Sequence, residues 1–246
     1  MRDWKDKRYW IVGASSGLGR DVAKEISKTG AEVILSARSE DELNELANEI
    51  SGRSTVVPMD VASAESVAEA AKAAGHIDGL VYLAGVYWSF GAAEFDGEKA
   101  AMMIDVNLAG AARVLGHVLP PMVERDKGHI VLTGSLSGFR GLPNACGYGA
   151  SKAGLMSLAE TMHADLFNTG VEVQLINPGF IKTRLTEKNN FKMPFIMEPD
   201  VAAREFVEHM NDDSFAKNYP RIFSTAIRSM QFLPDWLYYR LVGQKG

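Results

Sequence analysis

A tyrosine and a lysine stand four residues apart in the stretch GYGASK, at Tyr148 and Lys152. In a helix, residues i and i+4 lie on one face, so both side chains are predicted to point into one cleft. A free tyrosine has a pKa of about 10 and exchanges protons poorly near neutral pH. A positive charge about 5 Å away, at an effective dielectric constant of about 20, favours the tyrosinate by roughly 3 kcal/mol. We therefore expect Lys152 to lower the pKa of Tyr148 towards the range that general acid–base catalysis needs.

A glycine-rich turn follows the first apolar run of the chain. It reads GASSGLG, and the residues after it have the pattern of a helix that ends at Gly30. A tight turn that leads into a helix N-terminus offers free peptide N–H groups and a positive dipole end to a pyrophosphate. The spacing is G-x-x-x-G-x-G and not the G-x-G-x-x-G of many dinucleotide sites, and a plain turn is the alternative. The residues predicted to bind phosphate are Gly13, Ser15, Ser16, Gly17, Leu18 and Gly19.

The second apolar run ends in Arg38, near the place where an acidic residue usually holds a ribose 2′-hydroxyl. A guanidinium there can bind a 2′-phosphate through charge-assisted hydrogen bonds, with Ser15 or Ser39 in support. We therefore expect NADP(H) in preference to NAD(H), which remains the second choice. After the third run, Asp60 and Val61 are expected to touch the adenine. The alternative for Arg38 is a surface arginine that starts the acidic helix SEDELNELANEI.

Apolar, β-branched runs alternate with segments of helical periodicity along most of the chain. Such continuous apolar strands suit a parallel sheet that has helices on both faces. We predict an α/β fold: a single doubly wound Rossmann-type domain over residues 1–246, with a parallel sheet of about seven strands. Ligands of such sheets lie beyond the carboxyl ends of the strands. The runs occupy residues 9–12, 33–35, 55–57, 80–83, 130–132 and 171–176.

Composition narrows the classes of function. The net charge is −5, and no basic cluster interleaves with aromatic residues, so nucleic acid is not an expected partner. Cys146 is the single cysteine, which excludes an intrachain disulfide. No apolar run approaches the roughly 18 residues of a membrane span, and the start of the sequence lacks the apolar core of a signal peptide. A cytoplasmic location is therefore expected. The five histidines have no ligand spacing, so no metal site is expected.

Five motifs in one order carry a family resemblance. GASSGLG, DVNLAG, IVLTGSLSG, YGASK and NPGFIKT together resemble the shorter branch of the short-chain dehydrogenase/reductase family, over about Arg8 to Thr183. The resemblance implies a hydride transfer between NAD(P)(H) and a carbonyl/alcohol pair. It also implies a homodimer or homotetramer.

The resemblance implies a role for each matching residue. Tyr148 would be the general acid of carbonyl reduction and the base of the reverse reaction, and Lys152 would tune it and hold the nicotinamide ribose. Ser135 would donate a hydrogen bond to the substrate oxygen, since the spacing of Ser137 fits less well. Asn107 would hold a water in a proton relay to Lys152, unless it only distorts its helix. Further expected cofactor contacts are Ala84, Gly85, Pro178, Gly179, Ile181 and Thr183.

Two positions depart from the family's pattern. Val12 stands where a threonine is usual, and Leu83 where an asparagine is usual. Replacing both polar partners by apolar groups can be nearly neutral, because neither is left buried without a partner. We expect altered detail near the adenine ribose without loss of cofactor binding.

The substrate is less well defined by the sequence. Trp88, Phe90, Phe139 and Leu142, together with a substrate lid over about residues 184–200, suggest an apolar pocket for a bulky or acyl-chain carbonyl compound. Plain packing of these side chains against the core is an equal alternative. The aromatic C-terminal segment, about residues 230–242, is expected to pack on the substrate lid. A subunit interface and peripheral contact with a membrane surface are its alternatives.

Three functions follow from these observations. The leading hypothesis is an NADP(H)-dependent oxidoreductase that acts on a carbonyl/alcohol pair. The second is a non-catalytic NADP(H)-binding regulatory or assembly protein on the same fold, which decay of the Ser-Tyr-Lys set would favour. The third is a sugar-nucleotide epimerase of the family's longer branch, whose glycine spacing and larger substrate region do not match this chain.

Overall fold

Strands and helices alternate along the protein, whose computed structural model describes residues 2–187 and 193–243. The strands are β1 (Arg8–Val12), β2 (Glu32–Ser36), β3 (Ser54–Val56), β4 (Gly79–Tyr82), β5 (Gly128–Thr133), β6 (Val171–Pro178) and β7 (Ala216–Tyr219). The helices are α1 (Gly17–Ser27), α2 (Glu40–Glu49), α3 (Ala64–Ala74), α4 (Gly97–Ile104), α5 (Gly110–Glu124), α6 (Cys146–Asp165), α7 (Pro199–Met210), α8 (Arg221–Ser229) and α9 (Asp235–Val242).

The strands form one parallel sheet in the order β3-β2-β1-β4-β5-β6-β7. The predicted doubly wound fold with seven strands is therefore confirmed. Each of the six apolar runs overlaps a strand, but no apolar run in the sequence predicted β7. It reads AKNY and lies at the edge of the sheet, so it has one paired neighbour and needs no apolar run.

Helices cover both faces of the sheet and enclose two cores. On one face, α3, α5 and α6 pack against alternate strand residues such as Trp10 and Leu132. On the other face, α1, α2 and α7 pack against the intervening residues, such as Ile11 and Val131. Because successive strand residues point to opposite faces, the central strands are buried on both sides. This burial explains their continuous apolar sequences.

The strand order reverses between β1 and β4, which lie side by side in the middle of the sheet. The chain leaves β1 towards one edge of the sheet and leaves β4 towards the other. A crevice opens at such a point, beyond the carboxyl ends of the strands. The glycine turn after β1 and the segment after β4 form the two sides of this crevice.

A helical stretch over residues 97–124 joins α4 and α5 through a π-helical turn, Asp105–Ala109. By length and composition alone it could cross a membrane, although the sequence predicted no span. Its inward residues Val114, Val118 and Met122 lie in the core beneath α3. One face of the stretch therefore belongs to the core.

The C-terminal segment packs only in part as expected. Arg140 donates from Nη1 to the carbonyl oxygens of Met230 (3.0 Å) and Leu233 (2.7 Å), and its guanidinium lies 3.9 Å from the ring centroid of Tyr238. Tyr238 is buried, but Phe232 and Trp236 are 84% and 69% exposed. The prediction of a packed segment is therefore wrong for these two residues. The contacts of Arg140, called the Arg140 clamp below, fix the backbone and the Tyr238 ring but leave the rings of Phe232 and Trp236 exposed.

The predicted lid over residues 184–200 is described only in part. Residues 188–192 lie outside the described residues. After them, Met197 pairs with Ile181, and backbone hydrogen bonds join it to Phe180 and Lys182. The described end of this segment is therefore fixed to the segment that follows β6, and α7 begins at Pro199.

Candidate active site

The glycine turn after β1 is held close to both neighbouring strands. The amides of Gly13 and Ala14 donate to the carbonyl oxygen of Ser36 at 2.7 and 3.1 Å. Gly13 has φ +96°, and a Cβ there would lie 2.5 Å from the amide nitrogen of Ala84. A Cβ on Gly19 would lie 2.0 Å from the Gly13 carbonyl oxygen. Only glycine fits these two positions, so the start of α1 lies directly against the turn.

The N-terminus of α1 points its peptide groups at the crevice. Ser16 is the N-cap residue, and among the described residues no side chain caps this end of the helix. The first N–H groups of a helix lack partners inside the helix, and an anion or water must satisfy them. Together with the positive end of the helix dipole, this geometry suits a phosphate group.

A single cleft of about 390 Å³ runs along the carboxyl ends of the strands. This volume lies within the usual range for small-molecule sites. Every residue that the sequence assigned to the cofactor lines the cleft: Gly13, Ser15, Ser16, Gly17, Leu18, Gly19, Arg38, Ser39, Asp60, Val61, Ala84, Gly85, Tyr148, Lys152, Pro178, Gly179, Ile181 and Thr183. The uncapped helix end and the glycine cradle therefore fit a dinucleotide, and these residues would hold it.

Tyr148 lies on the first turns of α6 beside an aromatic neighbour. Its ring meets that of Tyr87 edge-on, with centroids 5.0 Å apart. Burial raises the pKa of Tyr148 to about 12, while a hydrogen bond with Ser135 opposes the shift and Tyr87 adds to it. The expected lowering of this pKa by Lys152 is therefore wrong for the protein's own charges. The cost of burying the tyrosinate exceeds the attraction that the spacing suggested.

Lys152 is buried against β5, where its ammonium bonds to the strand backbone. Its Nζ donates to the carbonyl oxygen of Thr133 at 2.7 Å and lies 5.8 Å from the centroid of the Tyr148 ring. Burial lowers the pKa of Lys152 to about 8. The lysine, rather than the tyrosine, is the group whose proton exchange is brought near neutral pH.

The two candidate serines contact each other at the carboxyl end of β5. Ser135 Oγ accepts from the amide of Ser137 at 3.2 Å, and the two hydroxyl groups are 2.9 Å apart. Ser135 is also the serine that hydrogen-bonds to Tyr148. The effect of Ser135 on the pKa of Tyr148 favours Ser135 over Ser137 as the partner of the tyrosine.

Asn107 lies in the π-helical turn and is fully buried. Its Oδ1 accepts from the amide of Val86 at 2.8 Å, and its Nδ2 donates to the Val86 carbonyl oxygen (3.1 Å) and to Ser151 Oγ (3.0 Å). The side chain thus holds the segment after β4 against α6, behind the wall of the cleft. Its location in a distorted turn matches the alternative given for it, and a water-holding role stays a prediction.

Two charged residues of the cleft were missed in the sequence. Glu42, on the first turn of α2, and Arg184, just after Thr183, both line the cleft. Arg184 Nη2 lies 2.9 Å from Glu42 Oε1, although the two residues are 142 positions apart. A helix of acidic residues gives no sign that one of them faces a ligand, so local pattern could not have found this pair.

The three aromatic residues proposed for a substrate pocket all pack against cores, and Phe139 packs against the core that contains Trp10. Phe90 is buried in a small core with Ala100 and Met103, and Trp88 packs against that core. All three residues therefore follow the packing alternative. A different aromatic residue, Phe223 of α8, approaches the cleft, because a Cβ on Gly179 would lie 3.3 Å from its Cδ1. The ring of Phe223 is tilted by 32° against that of Phe180, with centroids 5.8 Å apart.

The two departures from the family pattern are accommodated by packing. Val12 is buried in one core, and Leu83 packs against the other. The amide of Leu83 donates to the Val12 carbonyl oxygen at 2.8 Å, so the backbone connection across the crevice is intact. Neither apolar side chain requires a polar partner.

Comparisons with known proteins agree with this geometry. A family model described as short chain dehydrogenase matches residues 7–193. A protein of Myxococcus xanthus named as an uncharacterized oxidoreductase is 38% identical over 245 residues, which cover 97% of each chain. A solved structure described as a short chain dehydrogenase/reductase family protein has a TM-score of 0.81 at 25% identity, covering 88% of this chain and 97% of its own. An alcohol dehydrogenase from Thermococcus sibiricus, solved with 5-hydroxy-NADP, has a TM-score of 0.78 at 26% identity, with 87% and 95% covered.

Proposed function

This chain belongs to the short-chain dehydrogenase family, and from that premise we propose that it is an NADP(H)-dependent oxidoreductase acting on a carbonyl/alcohol pair. One observation carries the proposal. Tyr148 and Lys152 line the same cleft as the uncapped N-terminus of α1, and Ser135 acts on the pKa of Tyr148 from the end of β5.

Different residues of the cleft bind different parts of the cofactor. The glycine turn and the start of α1 hold the pyrophosphate, and Asp60 and Val61 lie beside the adenine. Lys152 holds the nicotinamide ribose. Pro178, Gly179, Ile181 and Thr183 fix the nicotinamide ring. When bound, the cofactor supplies or accepts the hydride.

The tyrosine performs the proton transfer of the reaction. In reduction, the Tyr148 hydroxyl donates its proton to the carbonyl oxygen of the substrate while Ser135 donates a hydrogen bond to the same oxygen. A pKa of about 12 keeps Tyr148 protonated at neutral pH, which suits this direction. Lys152, with a pKa of about 8, can release a proton near neutral pH, and the proposed water relay would carry it between the lysine and the tyrosinate.

The 2′-phosphate of the cofactor is assigned to Arg38. Arg38 is exposed at the rim of the cleft beside Ser39, and no ion pair to it is found within residues 2–187 and 193–243. A free guanidinium retains all its donors for a phosphate. Arg38→Ala should therefore weaken NADPH binding more than NADH binding. Equal affinities of the parent protein for both cofactors, unchanged by the substitution, would remove Arg38 from this role.

The substrate is proposed to be an apolar carbonyl compound. Phe223 and Phe180 lie beside Gly179, where the nicotinamide would sit, and offer an apolar wall. We also propose a single domain, a homodimer or homotetramer and a cytoplasmic location, all of which rest on the family resemblance and on composition.

Consumption of NADPH over a panel of carbonyl compounds tests the function. The panel contains aldehydes, cyclic ketones, 3-oxoacyl esters and steroid-like ketones. Oxidation of NADPH with at least one of them, matched by formation of the alcohol, is the expected result. Tight NADPH binding with no turnover of any compound would instead favour the non-catalytic regulatory or assembly protein.

A further inference from the structure

A carboxylate lies in the half of the cleft that is assigned to the adenosine of the cofactor. Glu42 lines the cleft together with Ser15, Arg38 and Ser39, the residues proposed to surround the ribose 2′-position. Its pKa is lowered by a hydrogen bond and the charge of Arg184, with a further contribution from Ser15, so Glu42 is ionised at neutral pH. A dianionic 2′-phosphate would be repelled by this charge, whereas a 2′-hydroxyl could donate a hydrogen bond to it.

Arg184 neutralises this carboxylate from the opposite side of the cleft. Arg184 Nη2 lies 2.9 Å from Glu42 Oε1, and the side chains are 70% and 31% exposed. The residue before it, Thr183, touches the glycine turn, since a Cβ on Gly17 would lie 3.0 Å from Thr183 Cγ2. The ion pair therefore joins α2 to the segment after β6, across the place proposed for the cofactor.

Two further arginines lie nearby, and Asp60 is a second acidic residue that lines the cleft. Arg20 Nη1 donates to the carbonyl oxygens of Ser15 (3.4 Å) and Glu42 (3.3 Å), while its Nη2 is paired with Glu49. Arg38 stands at the rim of the same cleft. Glu42 is thus the acidic side chain beside the proposed ribose 2′-position. Whether its charge repels a 2′-phosphate depends on whether Arg184 pairs with it.

We propose that Arg184 determines the choice of cofactor by masking the charge of Glu42, so that NADP(H) is admitted where an unmasked Glu42 would favour NAD(H). The proposal rests on the proposed function, because it assumes that a nicotinamide dinucleotide binds in this cleft. In this role Arg184 acts through Glu42 and does not itself contact the 2′-phosphate.

A double-mutant cycle tests the masking role by binding alone. Dissociation constants for NADPH and for NADH are measured by fluorescence titration with the parent protein, Arg184→Gln, Glu42→Gln and the double variant. Arg184→Gln should lower the preference for NADPH over NADH about fivefold, as expected of a partly exposed charge interaction. Glu42→Gln should keep or raise the preference. The double variant should recover the parental preference, since no carboxylate is left to mask.

Other outcomes overturn the proposal in distinguishable ways. A loss of NADPH preference that persists in the double variant would make Arg184 a direct ligand of the phosphate. An unchanged preference in every variant would make the pair a surface contact. If the parent protein binds neither dinucleotide, the proposed function fails together with this inference.

Arg204→Gln is the matched control. Its ion pair with Asp200 has the same type of geometry at 3.0 Å, with side chains 56% and 57% exposed, and lies on α7 away from the residues that line the cleft. The cofactor preference of this variant should equal that of the parent protein. A shift as large as that of Arg184→Gln would attribute the effect to net charge and not to the position of Arg184.

Discussion

Buried polar groups occur at both ends of the sheet, but they differ in what they are bonded to. At the amino ends of the strands, the Tyr9 hydroxyl lies 3.0 Å from His129 Nδ1, and His129 Nε2 lies 2.9 Å from Gln174 Oε1. Gln174 Nε2 then donates to three backbone carbonyl oxygens. At the carboxyl ends, Lys152 donates to a single carbonyl, and Thr133 Oγ1 and Asn177 Oδ1 have no partner within the described part of the chain; Glu172 Oε1 and His209 Nε2 also lack one near the amino ends.

The comparison shows that a shifted pKa alone does not identify a reactive site. Burial lowers the pKa of His129 to about 3 and raises that of Tyr9 beyond that of Tyr148. Yet His129, Tyr9 and Gln174 satisfy one another in the interior, as polar groups of a structural network do. Tyr148 and Lys152 differ from them because they line a cleft that a ligand can enter.

Removal of a tyrosine hydroxyl at the carboxyl end should have the largest effect. Tyr148→Phe removes the proposed proton donor, so we expect kcat/KM for carbonyl reduction to fall by about 10²- to 10⁴-fold. NADPH affinity should change little, because the phosphate cradle is untouched. Steady-state kinetics and fluorescence titration measure the two quantities, and full activity in this variant would exclude Tyr148 as the acid.

The same substitution at the amino end should change stability and leave turnover intact. Tyr9→Phe leaves His129 Nδ1 buried without its partner, which should lower the free energy of unfolding by about 1–3 kcal/mol. Urea denaturation measures this loss, and kcat should equal that of the parent protein. A Tyr9→Phe variant with normal stability and low kcat would contradict a purely structural role for Tyr9.

The pH dependence of reduction should report Lys152. Its pKa of about 8 means that the ammonium is present below pH 8 and lost above it. We expect kcat/KM to be level below about pH 7 and to fall about tenfold per pH unit above 8, as it does for a single required proton. In Lys152→Arg the guanidinium stays protonated, so the residual activity should lack this break. A break at the same pH in both proteins would assign it to another group.

His129 should make the folded protein less stable as the pH falls, whereas the activity in the previous prediction falls as the pH rises. Its folded pKa of about 3 lies below the unfolded value of 6.5, so the unfolded chain binds the proton first as pH falls. Stability from His129 is complete above pH 6.5 and is lost towards pH 3, and between pH 7.5 and 6 the loss is about 0.8 kcal/mol. Unfolding free energies of the parent protein and His129→Gln at both pH values isolate this term. Equal pH slopes in the two proteins would contradict it.

Much of the fold and the cleft could be predicted because they depend on local sequence. Strands buried on both faces must be apolar throughout, and residues that follow parallel strands must meet at one edge of the sheet. For this reason the predicted residues after β1, β2, β4 and β6 lie along one cleft, and their binding roles stay predictions. The edge strand β7 is under neither constraint and escaped detection.

Features that depend on the environment of a side chain could not be predicted in this way. The spacing of Tyr148 and Lys152 implied attraction, but the burial that raises one pKa and lowers the other is a property of the whole site. The pair of Glu42 with Arg184 joins distant parts of the chain. The exposure of Phe232 and Trp236 likewise follows from a clamp formed by Arg140.

The Arg140 clamp also limits the order in which parts of the protein can fold during synthesis. Arg140 follows the Ser135 turn closely, but its carbonyl partners at Met230 and Leu233 are made about ninety residues later. Chains fold from the N-terminus during synthesis, so the sheet up to β6 can assemble before these partners have been translated. The loop beside the proposed catalytic serine therefore reaches its final bonding only after Met230 and Leu233 have left the ribosome.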